Sequence, residues 1–203
     1  MRFLSLKCVV PVSLFALLTN CSKVCDHDSQ PHYTLTAGQR AWAAPYPKNA
    51  VLRFRNASGY ERTYRVVEAT NESGSGGGSK SSVCSAYQSE YFFTRLERTD
   101  SAGVYRGLYF QRMDAAVDQI PFKAQIQWAS SDFPLPIAEI EDGKKALGPA
   151  TFAGRTYQNV LDLPNVDALA PNKAAWGITR IFITKADGVI RFEERGGTAW
   201  NRL

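Results

Sequence analysis

The sequence predicts a mostly β fold: a curved antiparallel sheet, as a half-barrel or sandwich, with short helical turns. Three observations carry this. Apolar and polar residues alternate at period two over much of the chain, as in 122–128, where Phe122, Ala124, Ile126 and Trp128 share one face. Short polar breaks at 100–103, 186–188 and 195–197 separate such runs, and the last two carry the Asp-Gly and Gly-Gly pairs that suit tight hairpins. Helical periodicity is weak. Only 138–147 and 166–175 leave room for a turn or two, and Pro134, Pro136, Pro149, Pro164 and Pro171 hem them in.

Taken in order, 1–20 opens with Arg2 and Lys7, continues as the apolar run 8–18 and ends in Thr19-Asn20. An apolar run of 11 residues is well short of the roughly 20 that a membrane-spanning helix needs, so 1–20 reads as a signal peptide that is removed. Leu18-Thr19-Asn20-Cys21 resembles the lipobox of bacterial lipoproteins, with Asn20 where Gly, Ala or Ser is usual. The resemblance implies that Cys21 becomes the acylated first residue and anchors the chain in the outer membrane, on its periplasmic or cell-surface face. Acylation of the thiol and the new amino terminus supplies the two or more chains that stable anchoring takes.

Of the four cysteines, Cys8 leaves with the signal and Cys21 goes to lipid, which leaves Cys25 and Cys84. In an oxidising compartment these are expected to form a disulfide. The 58 residues between them correspond to roughly 4 kcal/mol of chain-entropy stabilisation. A metal reading of Cys25, Asp26, His27, Asp28 and His32 lacks any regular ligand spacing. No metal and no cofactor is expected.

Residues 21–47 are polar and carry Pro31, Pro45 and Pro47, which predicts a tether running over the surface, with room for a short strand or helical turn at 34–42. Residues 48–203 form a single β-rich domain, interrupted by an expected flexible Gly/Ser loop at 71–82. That loop lacks the G-K-[ST] ending of a phosphate cradle. Strands are expected at 51–55, 60–69, 90–97, 104–112, 122–128, 156–163, 178–184, 189–194 and 198–202.

The formal charge of +5 falls to +3 once Arg2 and Lys7 leave with the signal, too little and too scattered for a nucleic-acid partner. Both histidines, His27 and His32, lie in the expected tether, which argues against Ser-His-Asp chemistry. Glu139, Glu141 and Asp142 form one acidic group, and Glu193 with Glu194 another. A glycosidase needs two converging carboxyls, whereas loop and hairpin acids ordinarily face water, so no catalytic residue is assigned and an enzyme is not expected. Rings crowd one third of the chain, including Tyr87, Tyr91, Phe92, Phe93, Tyr105, Tyr109, Phe110, Phe122 and Trp128. In 91–93 and 109–110 they occupy both strand parities, which means burial on both sheet faces or one aromatic face left for a ligand.

The stretch 152–161, with Gly154, Thr156, Tyr157, Asn159 and Val160, is followed by the hairpin 178–192 and then by Gly197 and Trp200. This resembles bacterial envelope lipoproteins with a G-x-T-Y-x-N-V strand and a closing G-V-I-x-F hairpin. The motif residues are structural: Gly188 turns the hairpin, Val189 and Phe192 pack it and Trp200 seals its end. The class implies a curved, mostly antiparallel sheet and no established chemistry. The expected function is a lipid-anchored, non-enzymatic binding or structural module with an envelope protein as partner. The alternative is a carrier of lipid or another hydrophobic ligand.

Overall fold

The period-two segments become strands of one strongly curled antiparallel sheet, a half-barrel. The structure, a computed structural model, describes residues 30–76, 86–101, 109–118, 120–129, 131–165 and 177–203. In chain order the elements are β1 (His32–Tyr33), α1 (Ala37–Ala41), β2 (Val51–Asn56), β3 (Glu61–Gly76), β4 (Tyr87–Arg98), β5 (Tyr109–Asp114) and β6 (Lys123–Trp128). They continue as β7 (Ser131–Pro134), α2 (Ile137–Glu141), β8 (Gly148–Phe152), β9 (Arg155–Pro164), β10 (Ile178–Thr184), β11 (Gly188–Glu194) and β12 (Ala199–Arg202). The sheet order is β7-β6-β5-β4-β3-β2-β12-β11-β10-β9-β8, and β1 pairs in parallel with β4.

All nine expected strands are found, 104–112 in its described part 109–112. Besides the two-residue β1, two strands escaped the sequence reading: β7 and β8. Pro134 and Pro149, read above as limits on helices, sit inside them. Both are edge strands, where a residue without an N–H leaves no ladder bond unmade. The expected helical window 138–147 yields only α2, and 166–175 lies outside the described residues.

The expected loop 71–82 requires a correction, because 71–76 continue β3. Asn71 pairs with Phe92, and the ladder runs on to Gly76 opposite Tyr87. Backbone hydrogen bonds need no particular side chain, so β4 holds Gly and Ser in register. At Gly76 a Cβ would meet the Tyr87 hydroxyl at 2.7 Å, so the bare residue makes room for that ring. Residues 77–82 lie outside the described residues.

The tether expected at 21–47 is corrected in the same way from Gln30 onward. Leu35, Trp42 and Tyr46 are fully buried in the main core. They fill the concave side of the sheet, where Leu52, Phe54, Tyr64, Val66, Leu96, Met113, Ile126, Trp128 and Phe192 point inward from their strands. The helical turn for which 34–42 left room is α1, but its burial was not legible, because five helical residues are too few to display a period.

Phe54, Tyr64, Tyr109, Trp128 and Phe192 form the centre of the core, with ring centroids 4.8 Å apart for Tyr64 and Tyr109, 5.0 Å for Tyr64 and Trp128 and 5.1 Å for Phe54 and Phe192. Trp200 stacks on Phe192 at 6.0 Å. Bulges bend the strands. The β10–β11 register skips between Phe182/Arg191 and Ile183/Val189, so Ile190 is extra. Val189 and Phe192 therefore both face the main core although three positions apart, while Ile190 joins Tyr157, Val160 and Phe182 on the convex side. The β8–β9 hairpin bends at Asn159, whose φ is 54°, and covers this second cluster with Phe152.

Gly188 closes the β10–β11 turn at φ 71°, and a Cβ there would lie 2.5 Å from the Tyr46 ring. Gly154 turns the β8–β9 hairpin at φ 80° with nothing within 4 Å of its absent Cβ. Gly154→Ala is expected to cost about 1 kcal/mol from backbone strain alone. Gly188→Ala adds the collision with Tyr46 and is expected to cost roughly 2–4 kcal/mol. Urea unfolding midpoints of the two variants measure the difference.

Candidate functional site

The feature with most chemistry is the seam where 30–47 meets the inner face of β3, β4 and β5. Thr36 starts α1 with a capping box: its Oγ1 accepts from the Gln39 N–H at 3.0 Å, and Gln39 Oε1 accepts from the Thr36 N–H at 2.9 Å. The chain then turns through Trp42 to Tyr46. Gly38 lies so close to Glu141 of α2 that a Cβ would overlap its carboxylate, so both helices cover the same opening.

Polar contacts at three places tie 35–46 to the sheet. Glu90 of β4 is buried; its Oε2 accepts from the Leu35 N–H at 2.8 Å and from Arg40 Nη2 at 2.6 Å, and its Oε1 from Arg40 Nε at 2.9 Å. The Tyr46 hydroxyl accepts from the buried Val189 N–H at 2.8 Å. Gln111 Nε2 donates to the Trp42 carbonyl at 3.3 Å. Hydrogen bonds from Arg40 outweigh the cost of burial and, with the Leu35 N–H and Asn71, hold the Glu90 carboxyl down at about 2. Burial pushes the Tyr46 hydroxyl up to about 12, so it stays protonated.

The seam is imperfectly satisfied. Trp42 Nε1, Thr94 Oγ1 and Gln111 Oε1 are buried and find no hydrogen-bond partner among the described residues. Thr94 and Gln111 face one another across β4 and β5, and Ala69 continues their row on β3. Beside that row a cleft of about 290 Å³ opens between Arg40, Ala43, Tyr46 and Pro47 of the segment and Ala69, Asn71 and Phe92 of the sheet. It is small, with an apolar floor and one cation at its wall. A second cleft, of about 480 Å³, lies where Pro121, Phe122 and Lys123 meet Pro134, Leu135 and Pro136.

Cys21, Cys25 and Cys84, together with His27, lie outside the described residues. His32 pairs with Gln88 through its side chain. The acidic groups do not converge. Glu139, Glu141 and Asp142 are exposed, with Asp142 accepting from Lys144 at 2.8 Å. Glu193 pairs with Arg191 and Glu194 with Arg62, each at 2.6 Å, and Trp200 Nε1 also donates to Glu194 at 3.2 Å. The aromatic crowd divides by parity: Phe92 and Tyr109 turn to the core, while Tyr91, Phe93 and Phe110 pair on the convex face. Phe93 packs on Phe110 at 5.8 Å, and the Arg112 guanidinium covers Tyr91 at 5.7 Å. Tyr105 lies outside the described residues. Sequence reasoning missed Arg40, Trp42, Tyr46 and Glu90. The one signal was the capping-box spacing of Thr36 and Gln39.

No family model, no curated protein and no solved structure matches the chain.

Glu90 is ordinarily a carboxyl of 4.5 and is held at about 2 in the fold. A depressed carboxyl stabilises the fold in full above its unfolded value, and this is lost as pH falls through the folded value. The shift corresponds to about 3 kcal/mol, so stability is expected to decline between pH 4.5 and 2. Glu90→Gln should lower stability at neutral pH and flatten that decline, as urea titrations across the range would register. Tyr46→Phe leaves the buried Val189 N–H without its acceptor and is expected to cost about 1–3 kcal/mol, with loss of protection of that amide in hydrogen exchange.

Proposed function

We propose that the protein is an envelope lipoprotein, anchored in the outer membrane through lipid on Cys21, whose body is a non-enzymatic binding or structural module. The observation that carries this reading is the burial of Leu35, Trp42 and Tyr46 in the concave face. The sheet's own N-terminal segment occupies the place where a half-barrel would take a large ligand. The acidic side chains weighed for catalysis are spread over exposed turns and separate ion pairs, an arrangement that supports a binding role. The resemblance of the closing hairpin to envelope lipoproteins supports the location.

The parallel pairing of His32 with Gln88 supports a Cys25–Cys84 disulfide. In a parallel pair both chains arrive from the same end, so Gln30 and Ala86, the described residues nearest the two cysteines on these strands, lie at one end of the body. Mass analysis of the non-reduced protein is expected to recover one peptide pair joined through these cysteines; two free thiols would refute the pairing. Labelled palmitate is expected to mark the wild type and not Cys21→Ala. Equal labelling would remove the anchor.

The cleft of about 290 Å³ beside Phe92 favours a second reading, carriage of a small hydrophobic ligand. Native mass spectrometry of protein extracted from its membrane separates the two, since only a carrier retains a ligand of constant mass.

A further inference from the structure

We infer that the end of the half-barrel bearing Tyr33, Tyr87, Ile120, Pro121 and Phe122 rests on the phospholipid surface, with the β2–β3 turn at Tyr60 pointing away from it. This rests on the acylation of Cys21 proposed above. Between Cys21 and Gln30 lie eight residues, which reach no more than roughly 30 Å even when fully extended. The chain joins the sheet at Pro31, whose carbonyl accepts from the Gln88 N–H at 3.0 Å, next to Tyr87 and the Gly76 end of β3. From there β3 runs back over 16 residues, roughly 50 Å of strand, to Glu61 and the turn that carries Tyr60. A body standing on its Tyr60 end would need a longer tether.

The chemistry of the near end suits an interface between water and acyl chains. Tyr33 and Tyr87 meet edge to face at 6.0 Å, and the Tyr33 hydroxyl bonds Asp118, which fixes the β5–β6 turn against β1. On that turn Ile120 is 49% exposed. Behind it lies the cleft of about 480 Å³ flanked by Pro121, Phe122 and Lys123. Tyrosine is favoured at the headgroup level, and lysine extends its ammonium to the phosphates while its stem lies on apolar surface. Prolines matter here for what they lack. Pro121, Pro134 and Pro136 line the cleft and have no backbone N–H to be stranded from water there. The adhesion can be weak, because the anchor already holds the body at high effective concentration over the bilayer.

The test uses the acylated full chain in vesicles of phosphatidylethanolamine and phosphatidylglycerol, with ordinary or brominated acyl chains. Ile120→Trp and Tyr60→Trp each add one reporter on an exposed turn, read as the difference from the wild type. Emission added at position 120 should fall at least twofold in brominated vesicles, and emission added at position 60 should not change. Equal quenching at both positions, or quenching at 60 alone, would overturn the orientation. Flotation of the same vesicles reads the anchor separately. Wild type that floats without quenching at 120 leaves the anchor standing and removes this inference; wild type that fails to float removes both.

Discussion

The strands at the two edges of the sheet, β7 and β8, follow one another in the chain, joined only by 135–147. With five of those residues helical, the connection reaches roughly 40 Å at most. Eleven strands laid flat at the usual spacing would set the edges about 48 Å apart. The sheet has to curl. Bulges at Val67, Thr179 and Ile190 supply extra twist along the way. Once curled, the sheet has a concave side that its own inward residues line but do not fill. Leu35, Trp42 and Tyr46 complete it, and Leu135 and Ile137 of the edge connection enter the same core.

Charge is paired on both sides of the curled sheet. Inside, each charge is tied to a specific partner: Glu90 to Arg40 and the Leu35 N–H, and Glu194 to Arg62, whose guanidinium lies 3.9 Å over the Trp200 ring. Outside, paired arginines also serve as covers. Arg155 lies over Tyr157 at 4.6 Å, Arg180 over Phe182 at 5.1 Å and Arg191 over Phe152 at 4.9 Å. Their stems shield rings of the second cluster while each guanidinium also pairs with a carboxylate, Arg155 with Asp187, Arg180 with Asp162 and Arg191 with Glu193. A β-rich body with aromatics of both parities thus avoids a broad naked apolar face.

The alternation of 51–55 and 122–128 made the sheet legible, and Gly188, Val189, Phe192 and Trp200 take the structural places read for them. Strand β7 escaped because Ser131-Asp132-Phe133-Pro134 is short and a proline there suggests a break; only its edge position makes it a strand. Residues 71–76 read as a loop because composition reports what a side chain buries, and their hold comes from backbone pairing with β4. The seam around Glu90 was hidden for a different reason. Arg40 and Glu90 are 50 positions apart, and no local pattern in either segment names the other. The burial of Trp42 and Tyr46 is likewise a property of the curled sheet that receives them.

The seam between β2 and β12 has a kinetic meaning. Strands made early, β2 to β7, lie on one side of it and strands made late, β8 to β12, on the other, so the middle of the sheet is joined by Trp200↔Asn56 and Arg202↔Phe54. For a chain emerging from its N-terminus, Phe54 and Tyr64 can pack on Tyr109 and Trp128, but the sides they turn to Phe192 stay uncovered until the late strands arrive. Contacts across so much sequence are slow to form. The early half is therefore a half-finished surface for as long as synthesis lasts, with an unpaired β2 edge and part of its aromatic core open to chaperones.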